Sequence, residues 1–245
     1  MKTLIVVPAR FKSSRFPGKP LKKIHNKEMV LWVLEICKKI LNKETDLVVA
    51  TDDKKIFNFV KRNKFKSIMT SRNCLTGTDR VAEVAKKISA DIYINVQGDE
   101  PLINSRDIKK IINSKKDNPK KIICGYTKID KSEDVKNINI PKVILSKKEE
   151  LIYISRASIP SSKNSKISNF KFLKQVCIYA YNKSELKKFH SKCKSALEAI
   201  EDIEIIRFLE LGEKVQMVKL NSGSYAVDTI KDLKKVENVI KKQNI

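Results

Sequence analysis

The sequence predicts an α/β fold built on a doubly wound, mostly parallel sheet. Apolar runs rich in β-branched residues alternate four times with segments whose apolar residues recur every three or four positions, all before about residue 120. Beyond that point strand-like runs follow one another, which predicts a smaller inserted β-rich lobe over approximately residues 125–220. No repeat and no clear linker divides the chain, so residues 1–245 are expected to form a single domain.

The elements of the first half follow from these two periodicities. The run DLVVATD is continuously apolar and closed by acids, which is typical of a strand buried on both faces of a parallel sheet. Val30, Val33, Leu34 and Cys37 are spaced by three and four residues, which predicts one face of a helix. The predicted strands are 4–7, 46–52, 67–71 and 91–101, and the predicted helices are 30–41, 54–63 and 79–88.

The second half is predicted to contain strands at 122–129, 141–146, 150–160, 175–181 and 215–220. A single helix is expected over 195–212, with Ser195 as its N-cap, Gly212 as its C-terminal stop and a core face formed by Ala196, Ile200, Ile203, Ile206 and Leu209. A basic helix over 231–242 closes the chain. The segment 159–169 is rich in serine, lysine and asparagine, which predicts a mobile surface loop.

The chain is strongly basic, with a formal net charge of +24 from 52 lysines and arginines against 28 acids. One explanation is a protein that binds polyanions such as nucleic acid. The other is that lysine fills solvated faces. The lysines are scattered along the chain and form no dense tract with interleaved aromatics, which favours the second explanation and predicts no nucleic-acid partner.

The cysteines and histidines limit the redox compartment and the metal chemistry. The five cysteines are an odd set without a CxxC pair, and most lie in apolar runs, which predicts buried free thiols in a reducing cytoplasm. Two histidines are too few for a histidine-based metal site. No apolar run reaches the ~18 residues of a membrane span, and Pro8 and Arg10 interrupt the first apolar stretch, so neither membrane insertion nor a signal peptide is expected.

The loop after the first strand, within PARFKSSRFPGKPL, concentrates Arg10, Lys12, Arg15 and Lys19. Crowding four cations is unfavourable unless an anion lies among them, and a triphosphate would satisfy both the planar arginines and the point charge of lysine. The phosphate-binding GxxxxGK[ST] and GxGxxG patterns are absent. A solvated basic loop is the alternative.

Two aspartates that follow apolar stretches are candidate magnesium ligands. Asp99 ends the strand in NVQGDEP, at the sheet edge where ligands of open α/β sheets bind. Mg²⁺ takes one or two carboxylates together with phosphate oxygens. Asp228 in YAVDT ends another short apolar stretch. A simple turn at Asp99 and a helix N-cap at Asp228 are the alternatives.

Three of the six glycines, Gly18, Gly77 and Gly98, follow predicted strands or lie in the turns between them, which marks the same edge as the working face. Gly77 lies between two threonines in TGTDR. Thr78 is predicted to cap the following helix, and the small residues also suit a pocket for a nucleobase.

Taken in order, these segments resemble the cytidylyltransferases that activate 3-deoxy-manno-octulosonate (Kdo). PARFKSSRFPGKPL matches the opening motif P-A-R-x-x-S-[ST]-R-L-P-G-K-P-L of this group, and NVQGDEP matches N-[VL]-Q-G-D-E-P. The shorter segments TGTDR, SRASIP, IYAY and VDT match later motifs, so the resemblance spans nearly the whole chain.

The resemblance implies a nucleotidyltransferase-like α/β fold, a homodimer, and Mg²⁺-dependent transfer of CMP from CTP to an acidic sugar for glycan synthesis of the lipopolysaccharide type. The catalytic residues would be Arg10, Lys19, Asp99 and Asp228, the last two binding the metal. The nucleotide would contact Pro8, Ala9, Arg10, Arg15, Lys19, Thr76, Gly77, Thr78, Arg80 and Gln97. The sugar would contact Lys142, Arg156, Gln175, Tyr179 and Glu204.

The sugar side departs from the motifs of this group. QVCIY, with Gln175 and Cys177, stands where the group has H-[LI]-G-I-Y, and Ile205 stands in place of a glutamine. Glu204 and Arg207 are three residues apart, so a surface ion pair is an alternative to a role for Glu204 in the site. A Kdo variant or a nonulosonate as acceptor therefore stays open. So does an inactive relative that binds polyanions.

Overall fold

The alternation of strands and helices is present in a computed structural model of the chain, which describes residues 1–12, 16–130, 133–163, 170–221 and 225–243. The first half contains β1 (Thr3–Pro8), a 3-10 turn (Lys19–Leu21), β2 (Lys23–Ile24), β3 (Lys27–Glu28), α1 (Met29–Lys38), β4 (Thr45–Thr51), α2 (Lys54–Arg62), β5 (Ser67–Met69), α3 (Gly77–Lys87), β6 (Ile92–Val96) and α4 (Ser105–Asp117). The second half contains β7 (Ile122–Lys128), β8 (Lys142–Leu145), β9 (Leu151–Ser155), β10 (Leu173–Tyr181), α5 (Lys183–His190), α6 (Ala196–Glu201), α7 (Ile205–Glu210), β11 (Val215–Lys219) and α8 (Ile230–Gln243).

The described strands form one nine-stranded sheet and a separate two-stranded hairpin, β2–β3. The main order is β11-β7-β10-β6-β1-β4-β5. β1 runs parallel to β4 and β6, whereas β10 is antiparallel to both β6 and β7. The predicted mostly parallel α/β sheet is confirmed. Strands of the expected smaller lobe are continuous with it, and β8 and β9 extend from β10 off the main path.

The strand β10 also carries an irregularity beside the edge where β6 ends. Its register against β7 shifts between Val176 and Tyr179. Such a bulge re-aims side chains and is common next to functional sites. Cys177 lies within this shift and is half-buried.

Apolar side chains cover both faces of the sheet. Leu4 and Val6 belong to one buried cluster, and Ile5 and Val7 belong to the other. Successive side chains of a strand point to opposite faces, so a strand buried on both faces reads as a continuous apolar run. The doubly wound arrangement follows from this burial, because each face needs its own layer of helices.

The last helix packs away from both of these layers. Val236 and Ile240 of α8 form a third, smaller buried cluster with Phe16, Ile24 and Met29. The imidazole Nε2 of His25 also lies 2.8 Å from the carbonyl oxygen of Glu237. This cluster joins the C-terminal helix to the segment that follows the opening basic loop.

Two helices, α4 and α5, have no counterpart among the predicted elements. The sequence of α4 is mostly polar, and its core contacts come from Ile108, Ile111 and Ile112. The shorter α5 buries only Leu186 and Phe189 of its apolar residues. The buried ammonium of Lys115 on α4 lies 2.7 Å from the Glu185 carboxylate on α5, so an ion pair connects the two helices.

The single helix predicted over 195–212 is in fact two helices separated at Asp202, whose φ of 50° is left-handed. Consequently Ala196 and Ile200 are exposed, whereas Ile203 and Ile206 are buried. The break has a physical cause, because the carbonyl groups of Glu201 and Asp202 accept hydrogen bonds from the Arg156 guanidinium instead of from a continuing helix. The predicted ends are confirmed, with Ser195 in a capping box and Gly212 at a φ of 74° beyond α7.

The N-cap of α3 is Thr76, two residues earlier than the predicted Thr78. Thr76 accepts a hydrogen bond from the Asp79 amide, and Asp79 accepts one from the Thr76 amide, which completes a capping box. Thr78 lies inside the helix, so its prediction as the cap was wrong. The difference arises because only Thr76 has the extended backbone that an N-cap needs.

The thiols agree in part with the prediction of buried free cysteines. All five are free, and Cys37, Cys74 and Cys124 are buried, but Cys193 is exposed. Burial raises the pKa of Cys37 and Cys124 to about 12. Of the predicted loop 159–169, residues 164–169 lie outside the described residues. Within the described part of the chain, no helix is long and apolar enough to cross a bilayer.

Candidate active site

A cavity of about 700 Å³ opens at the edge of the sheet where β1 and β6 end. Ligands bind at this edge in open α/β sheets. The start of α3, part of β10, the junction of α6 and α7, and the segment leading into α8 complete its walls. The predicted site residues that line it are Pro8, Ala9, Arg10, Lys19, Thr76, Gly77, Arg80, Gln97, Asp99, Arg156, Gln175, Tyr179, Glu204 and Asp228. Thr78 and Lys142 do not line it, and Arg15 lies outside the described residues.

Lys19 lies between the two predicted metal ligands. Its Nζ is 2.5 Å from Oδ2 of Asp99 and 3.1 Å from Oδ1 of Asp228. Burial alone would lower the pKa of Lys19, but attraction to both aspartates outweighs this effect and raises it. Residues 80 and 209 positions away from Lys19 therefore meet at one ammonium group.

Backbone geometry positions these three side chains. Gly18 has a φ of 67°, which glycine adopts without steric penalty, and the 3-10 turn that begins at Lys19 follows it. A Cβ atom on Gly98 would lie 2.9 Å from the carbonyl oxygen of Pro8, so only glycine permits the turn before Asp99 to approach β1 this closely. The amide of Val227 donates to the carbonyl of Asp99, which places Asp228 beside it.

The start of α3 is held by a side chain from a distant part of the chain. The Glu204 carboxylate accepts hydrogen bonds from the Gly77 and Thr78 amides at 2.8 Å each, and from the Thr78 hydroxyl at 2.5 Å. Burial raises the pKa of Glu204, although these hydrogen bonds oppose the shift. The two helix N-terminal amides are thus occupied, and Glu204 joins the predicted nucleotide wall to the predicted sugar wall.

The surface ion pair of Glu204 with Arg207, which was the alternative to a site role for Glu204, does not form. Arg207 is buried and Glu204 is half-buried, and the Arg207 guanidinium lies against the Glu198 carboxylate at 2.6 Å and Asp79 at 3.2 Å. Arg207 therefore joins the capping residues of α3 and α6 from behind the cavity wall.

Arg80 lines the cavity, but its guanidinium is largely committed to protein groups. It donates to the Thr70 hydroxyl at 2.5 Å and to Asp52 Oδ2 at 3.3 Å. The Gln97 amide lies against Gly77, since a Cβ atom there would come within 2.9 Å of its Nε2. These contacts place both predicted nucleotide residues on one wall of the cavity.

Arg156 and Lys142 differ from their predicted arrangement. The Arg156 guanidinium donates to the carbonyl oxygens of Ile138, Glu201 and Asp202. The fully buried Lys142 donates to the carbonyl of Asn137 at 3.1 Å and to that of Arg156. In this structure Lys142 supports the cavity wall from behind and does not face the cavity, because its ammonium satisfies backbone carbonyls.

The predicted sugar side of the cavity includes Gln175, Cys177 and Tyr179 of β10. The Gln175 amide nitrogen lies 3.5 Å from the Cys124 sulfur, and its oxygen lies 3.9 Å from the Cys177 sulfur. Burial raises the pKa of Cys177 and of Tyr179 well above their usual values, so both groups present neutral side chains. These three side chains therefore offer uncharged hydrogen-bonding groups, of which only the Cys177 thiol is a weak one.

The Asp99 and Asp228 carboxylates fit the requirements of a magnesium ion. They provide hard oxygen donors close to each other, since one oxygen of each carboxylate lies within 3.1 Å of the Lys19 ammonium. No group of three or more potential protein ligands occurs among the described residues. A two-carboxylate site suits Mg²⁺, which completes its coordination with phosphate oxygens and water.

Several cavity residues were not predicted from the sequence. They include Glu133, Lys174, Tyr225, Asp232 and Lys235. The Lys174 ammonium pairs with Glu133 at 2.5 Å, and the ammonium groups of Lys174 and Lys235 lie 5.5 and 4.5 Å from the centre of the Tyr225 ring. The only available signal was the spacing of Asp228, Asp232 and Lys235, which suits one face of a helix.

Sequence comparison identifies relatives over the full length of the chain. A family model described as cytidylyltransferase matches residues 4–215. A 3-deoxy-manno-octulosonate cytidylyltransferase of Fusobacterium nucleatum is 38% identical over 247 residues, covering 100% of this chain and 99% of that protein. An Escherichia coli protein of the same name is 34% identical and covers 96% of this chain and 94% of its own length.

Structural comparison leads to the same family. A solved structure of CMP:2-keto-3-deoxy-manno-octonic acid synthetase complexed with CTP has a TM-score of 0.89 at 33% identity, covering 99% of this chain and 100% of the other. A putative glucose-1-phosphate thymidylyltransferase from Bacillus anthracis, 12% identical with a TM-score of 0.69 and covering 97% of this chain and 94% of its own, shares the fold alone. The chain belongs to the 3-deoxy-manno-octulosonate cytidylyltransferase family.

Proposed function

We propose that this protein transfers CMP from CTP to the anomeric hydroxyl of Kdo and releases pyrophosphate. Membership of the family supports this reaction, and one structural observation carries it. Lys19, Asp99 and Asp228, from three distant parts of the chain, converge in one cavity at the ligand-binding edge of the sheet. Arg10 lines the same cavity at the end of β1. An anionic nucleotide and a divalent cation both have matching groups there.

The sugar hydroxyl oxygen attacks the α-phosphorus of CTP, a new P–O bond forms, the bond to the pyrophosphate oxygen breaks and the hydroxyl proton is released. Arg10 and Lys19 are assigned to the triphosphate. An ammonium group has three donors, so Lys19 retains one for a phosphate oxygen while it contacts both aspartates. Asp99 and Asp228 are assigned to Mg²⁺, which when bound offsets the charge of the phosphates and activates the hydroxyl.

The remaining residues orient the two substrates. Gln97 and the Thr76–Gly77 segment are placed to contact the nucleotide, and Gln175 and Tyr179 are placed to contact the sugar. No covalent intermediate is required, and the enzyme contributes positioning and charge stabilisation. Cys177 lines the same wall, so it is expected to influence which 3-deoxy sugar acid the enzyme accepts. Turnover of a panel of sugar acids with CTP would measure that preference.

The proposal includes a cytoplasmic homodimer that supplies activated sugar for a lipopolysaccharide-type glycan. Five free thiols support a reducing compartment. The exposed apolar side chains of Ile138, Leu197 and Ile200 support burial against a second copy. Light scattering should give about twice the chain mass of 28.1 kDa, and the monomer mass at working concentration would contradict the dimer.

The decisive experiment removes one carboxylate from the site. Asp99→Ala should lower kcat/KM by about 10²–10³-fold or more in a pyrophosphate-release assay with CTP, Kdo and Mg²⁺. The melting temperature should change little, because Asp99 is partly exposed and Lys19 keeps its contact with Asp228. Asp46→Ala is the matched control, since Asp46 is a partly exposed acid paired with Lys66 away from the cavity. A clearly active Asp99→Ala enzyme would contradict the assignment.

A further inference from the structure

The cations that line the cavity differ in their availability to a substrate. Six lysine and arginine side chains line it within the described residues: Arg10, Lys19, Arg80, Arg156, Lys174 and Lys235. Lys19, Arg80 and Lys174 are each paired with carboxylates. The guanidinium of Arg156 donates to three backbone carbonyls. Two cations remain without a hydrogen bond or ion pair to any described residue, Arg10 and Lys235.

Arg10 and Lys235 come from different walls of the cavity. Arg10 follows β1. Burial alone would raise the pKa of Asp202, but the charges of Lys194, Arg156 and, least of the three, Arg10 lower it, so Arg10 lies on the side of the cavity near Asp202. Lys235 belongs to α8, where it shares a face with Asp232, three residues earlier. Two available cations on separate walls of the cavity can each bind a different anionic group of the substrates.

Tyr225 holds the Lys235 ammonium at the rim of the cavity. The ammonium lies 4.5 Å from the ring centre, within the range of a cation–π contact. Lys174 lies 5.5 Å from the same ring, but Glu133 neutralises it at 2.5 Å. Of the two ammonium groups beside Tyr225, only that of Lys235 is therefore not neutralised by a carboxylate. The cation–π contact leaves N–H donors of Lys235 available to a ligand.

We propose that Lys235 binds an anionic oxygen group of the reactants, either the carboxylate of the sugar acid or the departing pyrophosphate. The inference rests on the proposed function, because that reaction supplies both anions. It also bears on how much of Arg156 is left for the sugar carboxylate. Three of the five N–H donors of Arg156 are used on the carbonyls of Ile138, Glu201 and Asp202, so a second cation in the cavity would add donors for that carboxylate. Lys235 is available in the same cavity.

The test is equilibrium binding by calorimetry, with inorganic pyrophosphate and with Kdo as separate probes and Mg²⁺ present. Lys235→Met should weaken binding of one probe about ten- to a hundredfold, the range of a charge-assisted hydrogen bond. Lys234→Met is the matched control, because Lys234 is the exposed neighbour on α8 and does not line the cavity. It should bind both probes within about twofold of the unmodified protein, and Lys235→Arg should restore most of the affinity.

The two probes distinguish the source of the anion. Weaker Kdo binding assigns Lys235 to the sugar carboxylate, and weaker pyrophosphate binding assigns it to the leaving group. Equal affinities of Lys235→Met and Lys234→Met for both probes would overturn the proposal. Turnover of the unmodified protein is measured in parallel. If the proposed reaction is wrong, no pyrophosphate is released, and this result is distinct from a failure of Lys235 to bind either probe.

Discussion

At the scale of single residues, the contacts of each cation determine what it can do for a substrate. Lys142 is fully buried, and the effect of burial lowers its pKa, with Arg156 adding to the shift. Its two carbonyl partners belong to Asn137 and Arg156. Lys142 thus connects the loop before β8 to the end of β9, and both of these segments border the cavity.

Lys142→Met should destabilise the protein. Removing the ammonium leaves the Arg156 carbonyl without its donor, at a cost of about 1–3 kcal/mol, whereas the Asn137 carbonyl keeps a hydrogen bond from the Ile140 amide. The melting temperature should fall by roughly 2–4 °C for each kcal/mol lost. Differential scanning calorimetry measures the change, with the exposed Lys147→Met as the control. Equal melting temperatures for the two variants would contradict the supporting role of Lys142.

Some residues of the cavity could be predicted from the sequence because the residues immediately around them show where they lie in the fold. Asp99 follows a run that reads as a buried strand, and Lys19 follows a glycine in a basic loop. The contacts of Arg156 were not predictable. Its partners are backbone carbonyls of residues up to 46 positions away, and the sequence pattern carries no signal for them. Lys235 was missed for the related reason that its availability depends on which other cations are paired.

At the scale of elements, glycine sets the distance between strand ends. The Cβ of an alanine at position 98 would meet a backbone oxygen of Pro8 at 2.9 Å, and backbone cannot move aside easily. At position 77 the nearest atom is instead the Gln97 amide nitrogen, also at 2.9 Å, which is the end of a flexible side chain. The two glycines therefore differ in what a methyl group would displace.

Gly98→Ala should destabilise the protein by about 1–3 kcal/mol, as overpacking does. Gly77→Ala should cost less, because Gln97 can change its rotamer and alanine favours helix α3 by up to about 1 kcal/mol over glycine. Urea denaturation of both variants gives the two free energies of unfolding. A Gly77→Ala protein less stable than Gly98→Ala would show that the backbone contact is unimportant.

Helices were predicted where their apolar spacing sufficed and missed where long-range contacts stabilise them. α5 has two buried apolar residues, and the Lys115–Glu185 pair that anchors it joins residues 70 positions apart. The break between α6 and α7 depends on Arg156 in the same way. Local periodicity contains neither partner, so it predicted one continuous helix there and none at α5.

At the scale of the whole molecule, α8 is attached by the smallest of the three apolar clusters. This helix begins two residues after Asp228 and carries Lys235, so its attachment positions one side of the cavity. Elements held by few buried contacts open more readily than the main core. The C-terminal segment is therefore expected to open independently of the sheet.

Hydrogen exchange should detect this difference. Amides of residues 230–240 should exchange faster than those of β1 and β6, and Ile240→Ala should increase their exchange further, because it removes about 2–5 kcal/mol of packing from the small cluster. The exchange of β6 should stay nearly unchanged. Ile111→Ala, in the larger cluster, is the contrasting variant, and it should affect the sheet instead. Equal acceleration of both regions by Ile240→Ala would mean that α8 and the sheet unfold as one unit.

The bulge in β10 has a consequence for how this enzyme can diversify. Arg10 and Gln97, which are proposed to contact the nucleotide, lie in the turns after β1 and β6. Gln175, Cys177 and Tyr179, on the proposed sugar side, lie at alternate positions of β10, which is antiparallel to both of its neighbours. Turns accept insertions, but an interior strand accepts only side-chain replacements or a moved irregularity. Randomising the codons of Gln175, Cys177 and Tyr179 should therefore change the preference for the sugar acceptor while the turns after β1 and β6 stay unchanged.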